Sequence, residues 1–226
     1  NLYILIPVAL LSLFIIYATS VIPYKANASV LQFYGLTENG FYKESKPFLE
    51  RSFNVKSPYT FWEVRKTAGW QFVNVLEYGF KDTTSPDDIL VLKEMYDFII
   101  PELEKFIENK PYDPQIYYVL GRMYRFGYEK FGYDDLEKAE RALKQGFDYS
   151  NLRIEYFNEF AQVLLLQGKF YEAEKSVKDY VQRGTFYEFF PYVTLGHFYF
   201  VAGTYDLAME QYEKAREAGY KFYETS

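Results

Sequence analysis

The sequence predicts an all-α protein: an N-terminal transmembrane helix followed by an α-solenoid of short helical hairpins. Two observations carry the prediction. From Leu2 to Ile22 the chain holds no charge, a run long enough to cross roughly 30 Å of hydrocarbon as a helix. Further on, a pattern of small and large residues returns at intervals of about one helical hairpin, and repeats of that kind stack into solenoids. Turn and cap residues then divide the chain into a membrane helix over 1–24, divergent hairpins over 25–113, and three clearer repeats with a terminal helix over 114–226.

The first element, "LYILIPVALLSLFIIYATSVI", has Ser12, Thr19 and Ser20 as its small polar interruptions, and Pro7 sits near its start, where it is tolerable. Length and lack of charge favour a membrane span. Two other readings compete. "ANA" at 26–28 has the look of a secretory cleavage site, although the apolar run is long and no basic segment precedes it. A buried helix of a soluble domain is the plainest alternative. Because the chain begins at Asn1 and not at Met, it is expected to be a piece or processed product of a longer one.

After it, "LTENGFYKESKPFLERSF" (36–53) places Gly40 five residues before Ser45, with Leu49 four further on. This predicts a first, divergent hairpin directly after the apolar run. "TFWEVRKTAGWQFVNVLEYG" and "SPDDILVLKEMYDFIIPELEKFIENK" read as the next two helices, separated by a polar linker around Lys81–Pro86. Thr60-x-x-Glu63 fits a capping box, Ser85-Pro86 fits an N-cap with proline at the first helical position, and Asp113-Pro114 repeats the device. Pro101 is expected to kink its helix.

The C-terminal half repeats itself. Tyr117-x2-Leu120-Gly121-x2-Tyr124 precedes Ala139-x3-Leu143; Phe157-x2-Phe160-Ala161-x2-Leu164 precedes Ala173-x3-Val177; Tyr192-x2-Leu195-Gly196-x2-Tyr199 precedes Ala208-x3-Tyr212. Small residues at 121, 161 and 196 and at 139, 173 and 208 let paired helices approach, and large residues three and four positions away fill the groove around them. The first set is spaced 40 and 35, the second 34 and 35. An enlarged turn in "RFGYEKFGYDD" (125–135) is expected to absorb the difference. Four or five hairpins in a right-handed superhelix result, with "EQYEKAREAGYKFYETS" closing the end.

These residues resemble the tetratricopeptide repeat (TPR), whose consensus is W-x2-L-G-x2-Y, then A-x3-F, then P, at a period of 34. Tyr192 replaces the tryptophan in the last copy, and Tyr220 stands near the proline position. The resemblance implies that the first helix of each repeat lines a concave groove for a protein or peptide partner. The stripe so implied holds Tyr118, Arg122 and Arg125 in one repeat, Asn158, Gln162 and Leu165 in the next, and Val193, His197 and Phe200 in the last. Arg122 and Arg125 could meet a carboxylate or phosphate there, or simply satisfy nearby glutamates such as Glu155.

Composition limits the chemistry. With no cysteine and one histidine, His197, thiol catalysis and histidine-rich metal sites are excluded, and a Ser-His-Asp triad could be built on one residue only. No phosphate-cradling glycine motif is present, so no catalytic residue, cofactor or metal is expected in this segment. Net charge of -6 argues against nucleic acid, which needs a basic face.

The order of apolar span, degenerate repeat and aromatic helix "TFWEVRKTAGWQFVNV" is similar to the C-terminal part of O-antigen ligase or polymerase-like membrane proteins. That resemblance implies a bacterial inner-membrane protein, an extracytoplasmic repeat domain and lipid-linked glycan as the parent protein's substrate, with catalysis upstream of this segment. Only Lys25 is basic in the first residues beyond the span, in keeping with a non-cytoplasmic flank. The expected function is therefore a membrane-anchored scaffold for protein interaction; a secreted or single-pass binding protein unrelated to glycan transfer is the alternative.

Overall fold

The structure is a computed structural model that describes residues 2–55, 61–81, 84–150, 154–183 and 188–221, with side chains at all of these except 2–5, 154 and 183. Among them there are helices and turns but no strand. Thr60 of the expected capping box lies outside the described residues, as do the last five positions of the expected closing segment.

The apolar run forms α1 (Leu2–Ile16) and passes through a π-helical turn, Tyr17–Val21, straight into α2 (Ile22–Glu38). No break falls at residue 24. The Ile22 amide bonds the Tyr17 carbonyl, the five-residue reach of a π turn. From Ile6 to Tyr17 every side chain is exposed. Ser12 and Thr19 donate their hydroxyls to Val8 and Ile15 carbonyls at 2.9 and 2.8 Å, so their polar groups are satisfied within the helix. The helix is long and apolar enough to cross a membrane.

Beyond α2 come α3 (Tyr42–Asn54), α4 (Phe61–Asn74) with a second π-helical turn at Val75–Gly79, α5 (Pro86–Asn109), α6 (Pro114–Phe131), α7 (Leu136–Tyr149), α8 (Ile154–Leu166), α9 (Phe170–Arg183), α10 (Phe190–Val201) and α11 (Tyr205–Glu217). They form two compact units. The first holds residues 1–112 and 126–133; the second holds 113–125 and 134–226.

In the first unit α2 and α3 pack as a hairpin around Ala26, Val30, Phe33, Leu49 and Phe53, and α4 and α5 add Ala68, Phe72, Leu92, Met95, Ile99 and Leu103. Ser45 is fully buried and turns its hydroxyl onto the Tyr42 carbonyl at 2.7 Å, so a small polar residue takes the close-packing position. Ser85 caps α5, accepting the Asp88 amide at 3.1 Å. That helix continues without interruption across Pro101.

The extra residues between Gly121 and Ala161 do not enlarge the turn; they lengthen α6, which runs to Phe131. Gly127 is a packing glycine: an added Cβ would lie 2.7 Å from Tyr96 Cζ. Phe131 in turn meets Tyr96 and Phe80 with ring centroids 5.5 and 6.1 Å apart. Aromatic burial thus outweighs the glycine's weak helix propensity.

The second unit repeats one hairpin design. After α8 the Gly168 amide bonds Leu165 O and the Lys169 amide bonds Leu164 O; after α10 Gly203 and Thr204 do the same to Phe200 and Tyr199. This is the Schellman closure, and its glycines stand at φ of +76° and +75°, a conformation that a Cβ disfavours. Helix pairs then close on their small residues. At Gly121 a Cβ would lie 2.7 Å from Leu143 Cδ2, and at Gly196 it would lie 2.6 Å from Tyr212 Cε1. Ala161, Leu164, Ala173, Val177, Phe198, Tyr199 and Ala208 form the cluster between α8–α9 and α10–α11. Residues 210–217 are the end of α11 itself, which stops before Gly219.

Candidate functional site

Of the groove stripe expected from sequence, Phe200 stays exposed outside the cavity and the rest divides in two. Asn158, Gln162 and His197 line one cavity of about 470 Å³ between α8 and α10, together with Leu165, Val193 and Thr194. Its base is the apolar cluster, through Ala161, Val177 and Phe198. The arrangement follows from helical periodicity: 158, 162 and 165 fall on one face of α8, and 193, 197 and 201 on one face of α10. Four polar side chains on largely apolar walls can orient a ligand whose apolar group fills the base.

His197 is exposed, and its Nδ1 lies 3.2 Å from the Tyr212 hydroxyl, the rings meeting edge-on. That contact fixes the tilt of the imidazole at the rim of the cavity.

Tyr118, Arg122 and Arg125 lie elsewhere, in a buried charge cluster on α6. The two arginines are 5% and 6% exposed, which corrects the expectation of surface side chains, and both face Glu159 of α8. Arg125 Nε donates to Glu159 Oε2 at 2.8 Å, and its terminal nitrogen donates to Oε1 at 3.3 Å. Arg122 Nε lies 3.1 Å from Oε1. Tyr118 places its ring under Arg122 at 5.5 Å and beside Tyr156 at 4.8 Å. The carboxylate is Glu159 and not Glu155, which is exposed one turn earlier. A planar guanidinium matched to a carboxylate in so dry a place ties helices together.

The sequence held one signal for Glu159. Its position in the repeat is taken by Val119 and Thr194 in the other two copies, both buried, so a charge there must be a paired one. The remaining cavity residues, Thr194, Phe190 and Val201, carried no signal beyond helical spacing.

A second cluster of this kind sits in the first unit. Arg65 is 4% exposed, ion-pairs with Glu102 at 2.7 Å and stacks 3.4 Å from the Phe61 ring centre. Burial by itself would raise the Glu102 pKa, but hydrogen bonds and charge from Lys105 and Arg65 outweigh it and hold the carboxyl below the ordinary value.

Among the described residues no group of histidine, aspartate and glutamate could hold a metal ion. The fold is a TPR-type solenoid of helical hairpins. It is similar to the crystal structure of a MamA protein, with a TM-score of 0.53 at 14% identity over 86% of this chain and 91% of that one. It is also similar to a thermophilic TPR protein of Thermus thermophilus, with a TM-score of 0.52 at 20% identity over 86% of this chain and 91% of the other. At such identities the likeness is one of fold. No protein-family model matches the sequence, and no curated protein matches it significantly. The likeness to O-antigen ligases gains no support from these comparisons.

Proposed function

We propose that the chain is a membrane-tethered TPR scaffold that captures a segment of a partner protein in the cavity between α8 and α10. The observation that carries this reading is the cavity itself: about 470 Å³, an apolar base, and Asn158, Gln162, Thr194 and His197 converging on it. A side chain of leucine or phenylalanine size fits the base, with the partner's backbone bonded by the amides. A photo-crosslinking residue at Val193 should trap a partner that the same residue at Lys175, on the outer helix α9, does not. Equal trapping from both sites, or none at Val193, sinks the groove.

Tethering rests on α1, along which Ile6, Val8, Leu10, Leu11, Leu13, Phe14, Ile15 and Ile16 are all exposed. The full chain should float with lipid vesicles at high salt and alkaline pH, and a chain lacking residues 1–21 should not. A full chain that stays in solution removes the anchor.

The finer reading places this scaffold at the C-terminal end of an O-antigen ligase-like envelope protein, on the extracytoplasmic side. What favours it is the unbroken helix from apolar span to first hairpin. The upstream reading frame should then encode further apolar spans, and a reporter fused after residue 226 should be active only outside the cytoplasm. A start codon close to Asn1 or a cytoplasmic reporter overturns it.

A further inference from the structure

A second, smaller cavity lies on the other side of α8, away from the groove. It measures about 200 Å³ and opens among α7, α8 and α9. Phe147, Phe157 and Phe160 make its walls, with Lys144, Asp148 and Asp179 at its mouth. Phe157 anchors the wall: its ring centre is 4.4 Å from Phe147, edge to face, and 4.1 Å from Tyr180. Neither Asp148 nor Asp179 makes an ion pair or hydrogen bond with another described residue, whereas Glu140, Glu174 and Glu210 are each held by a lysine. Lys144, the one cation there, acts on Glu140, whose pKa it helps to lower.

Two carboxylates with no ion pair or hydrogen bond among the described residues, beside a wall of aromatic rings, have one natural complement. A cation with apolar substituents uses both features, because ring faces carry negative quadrupole potential and carboxylates supply the counter-charge. A bare metal ion would gain nothing from the rings. A neutral apolar group would gain nothing from the acids, and an anion would be repelled. We infer that this cavity binds a compact organic ammonium, its alkyl groups against Phe147, Phe157 and Phe160 and its charge opposite Asp148 and Asp179. Nothing in this inference depends on the groove between α8 and α10.

The test uses the full chain in a maltoside detergent, with choline as the probe and 3,3-dimethylbutan-1-ol as its uncharged isostere, followed by the Phe147 and Phe160 ring resonances and by calorimetry. Choline should shift these rings and the alcohol should not. The Asp148→Asn/Asp179→Asn variant, altered only at the mouth, should bind choline about tenfold more weakly. Phe160→Leu, which keeps an apolar wall but removes a ring face, should weaken it as well. Phosphocholine binding tighter than choline assigns the ammonium to a lipid headgroup, and weaker binding assigns it to a free amine. Equal response to choline and the alcohol, or undiminished choline binding in both variants, overturns the proposal.

Discussion

Replacing Glu159 with glutamine should unfold the second unit far more readily than its size suggests. The carboxylate is the shared partner of Arg122 and Arg125, and all three side chains are no more than 10% exposed. Glutamine keeps the shape and removes the charge, leaving two buried guanidiniums opposite a neutral amide. Breaking a buried pair from one side costs about 3–5 kcal/mol, against a total of about 5–15 kcal/mol for an ordinary domain. For a unit of this size each kcal/mol moves the midpoint by about 4–8 °C, so a drop on the order of 20 °C is expected. Glu155→Gln, exposed on the same helix, should stay within about 0.5 kcal/mol of the parent. Circular dichroism melts of the three proteins decide the matter. Replacing the whole cluster by apolar residues of similar volume should recover much of the loss, because the cost lies in the uncompensated charge. If Glu159→Gln melts like Glu155→Gln, the cluster is solvated and the reasoning fails.

Other outcomes follow from the same structure. Gly196→Leu forces atoms into the Tyr212 ring and should cost about 1–3 kcal/mol by overpacking, seen as a lower urea midpoint; an unchanged midpoint refutes the contact. Gly203→Ala meets no atom within 4 Å yet should still destabilise by about 1 kcal/mol, since its φ of +75° is the obstacle; a neutral result would remove the strain argument. In acid, Glu174 is held below its ordinary pKa of 4.5 by hydrogen bonds from Lys178 and Tyr199, with burial opposing. A depressed carboxyl stabilises above the unfolded value, so its contribution is full above pH 4.5 and lost as pH falls through the lowered one. Glu174→Gln should therefore lower stability at neutral pH and make no difference at the acid end, checked by urea titration at both. Tyr199 is shifted the other way: burial, then Glu174, raise its pKa above 10.0. Its share of the stability is full below the ordinary tyrosine value and is lost as pH rises through the higher one.

How much of this was legible depends on which residues carried the information. The hairpins of the second unit were legible because Gly121, Ala161 and Gly196 repeat with their large neighbours, and contacts made through repeats leave a periodic trace. Ser85-Pro86 was legible because capping is a local matter. Gly127 was misread as a turn because its reason for being small, the Tyr96 ring, lies far away in sequence. Arg122 and Arg125 were placed on the groove stripe because helical phase gives a side chain's direction and not its depth. Their mate Glu159 is one repeat away, where only the oddness of a charge at a buried position could have pointed to it.

The passage from α1 through Tyr17–Val21 into α2 leaves no joint between the exposed apolar helix and the first packed hairpin. A rod of 37 residues, about 55 Å at the usual rise, has Ala26, Val30 and Phe33 wedged into the core at one end. A tilt or roll of the far end is passed along one continuous helical backbone to those three side chains, so the hairpin's bearing is tied to whatever grips the rod. The five-residue turn acts as a phase setter in this lever: removing one residue from it would rotate α1 by about 100° relative to α2 while leaving the hairpin's own contacts in place.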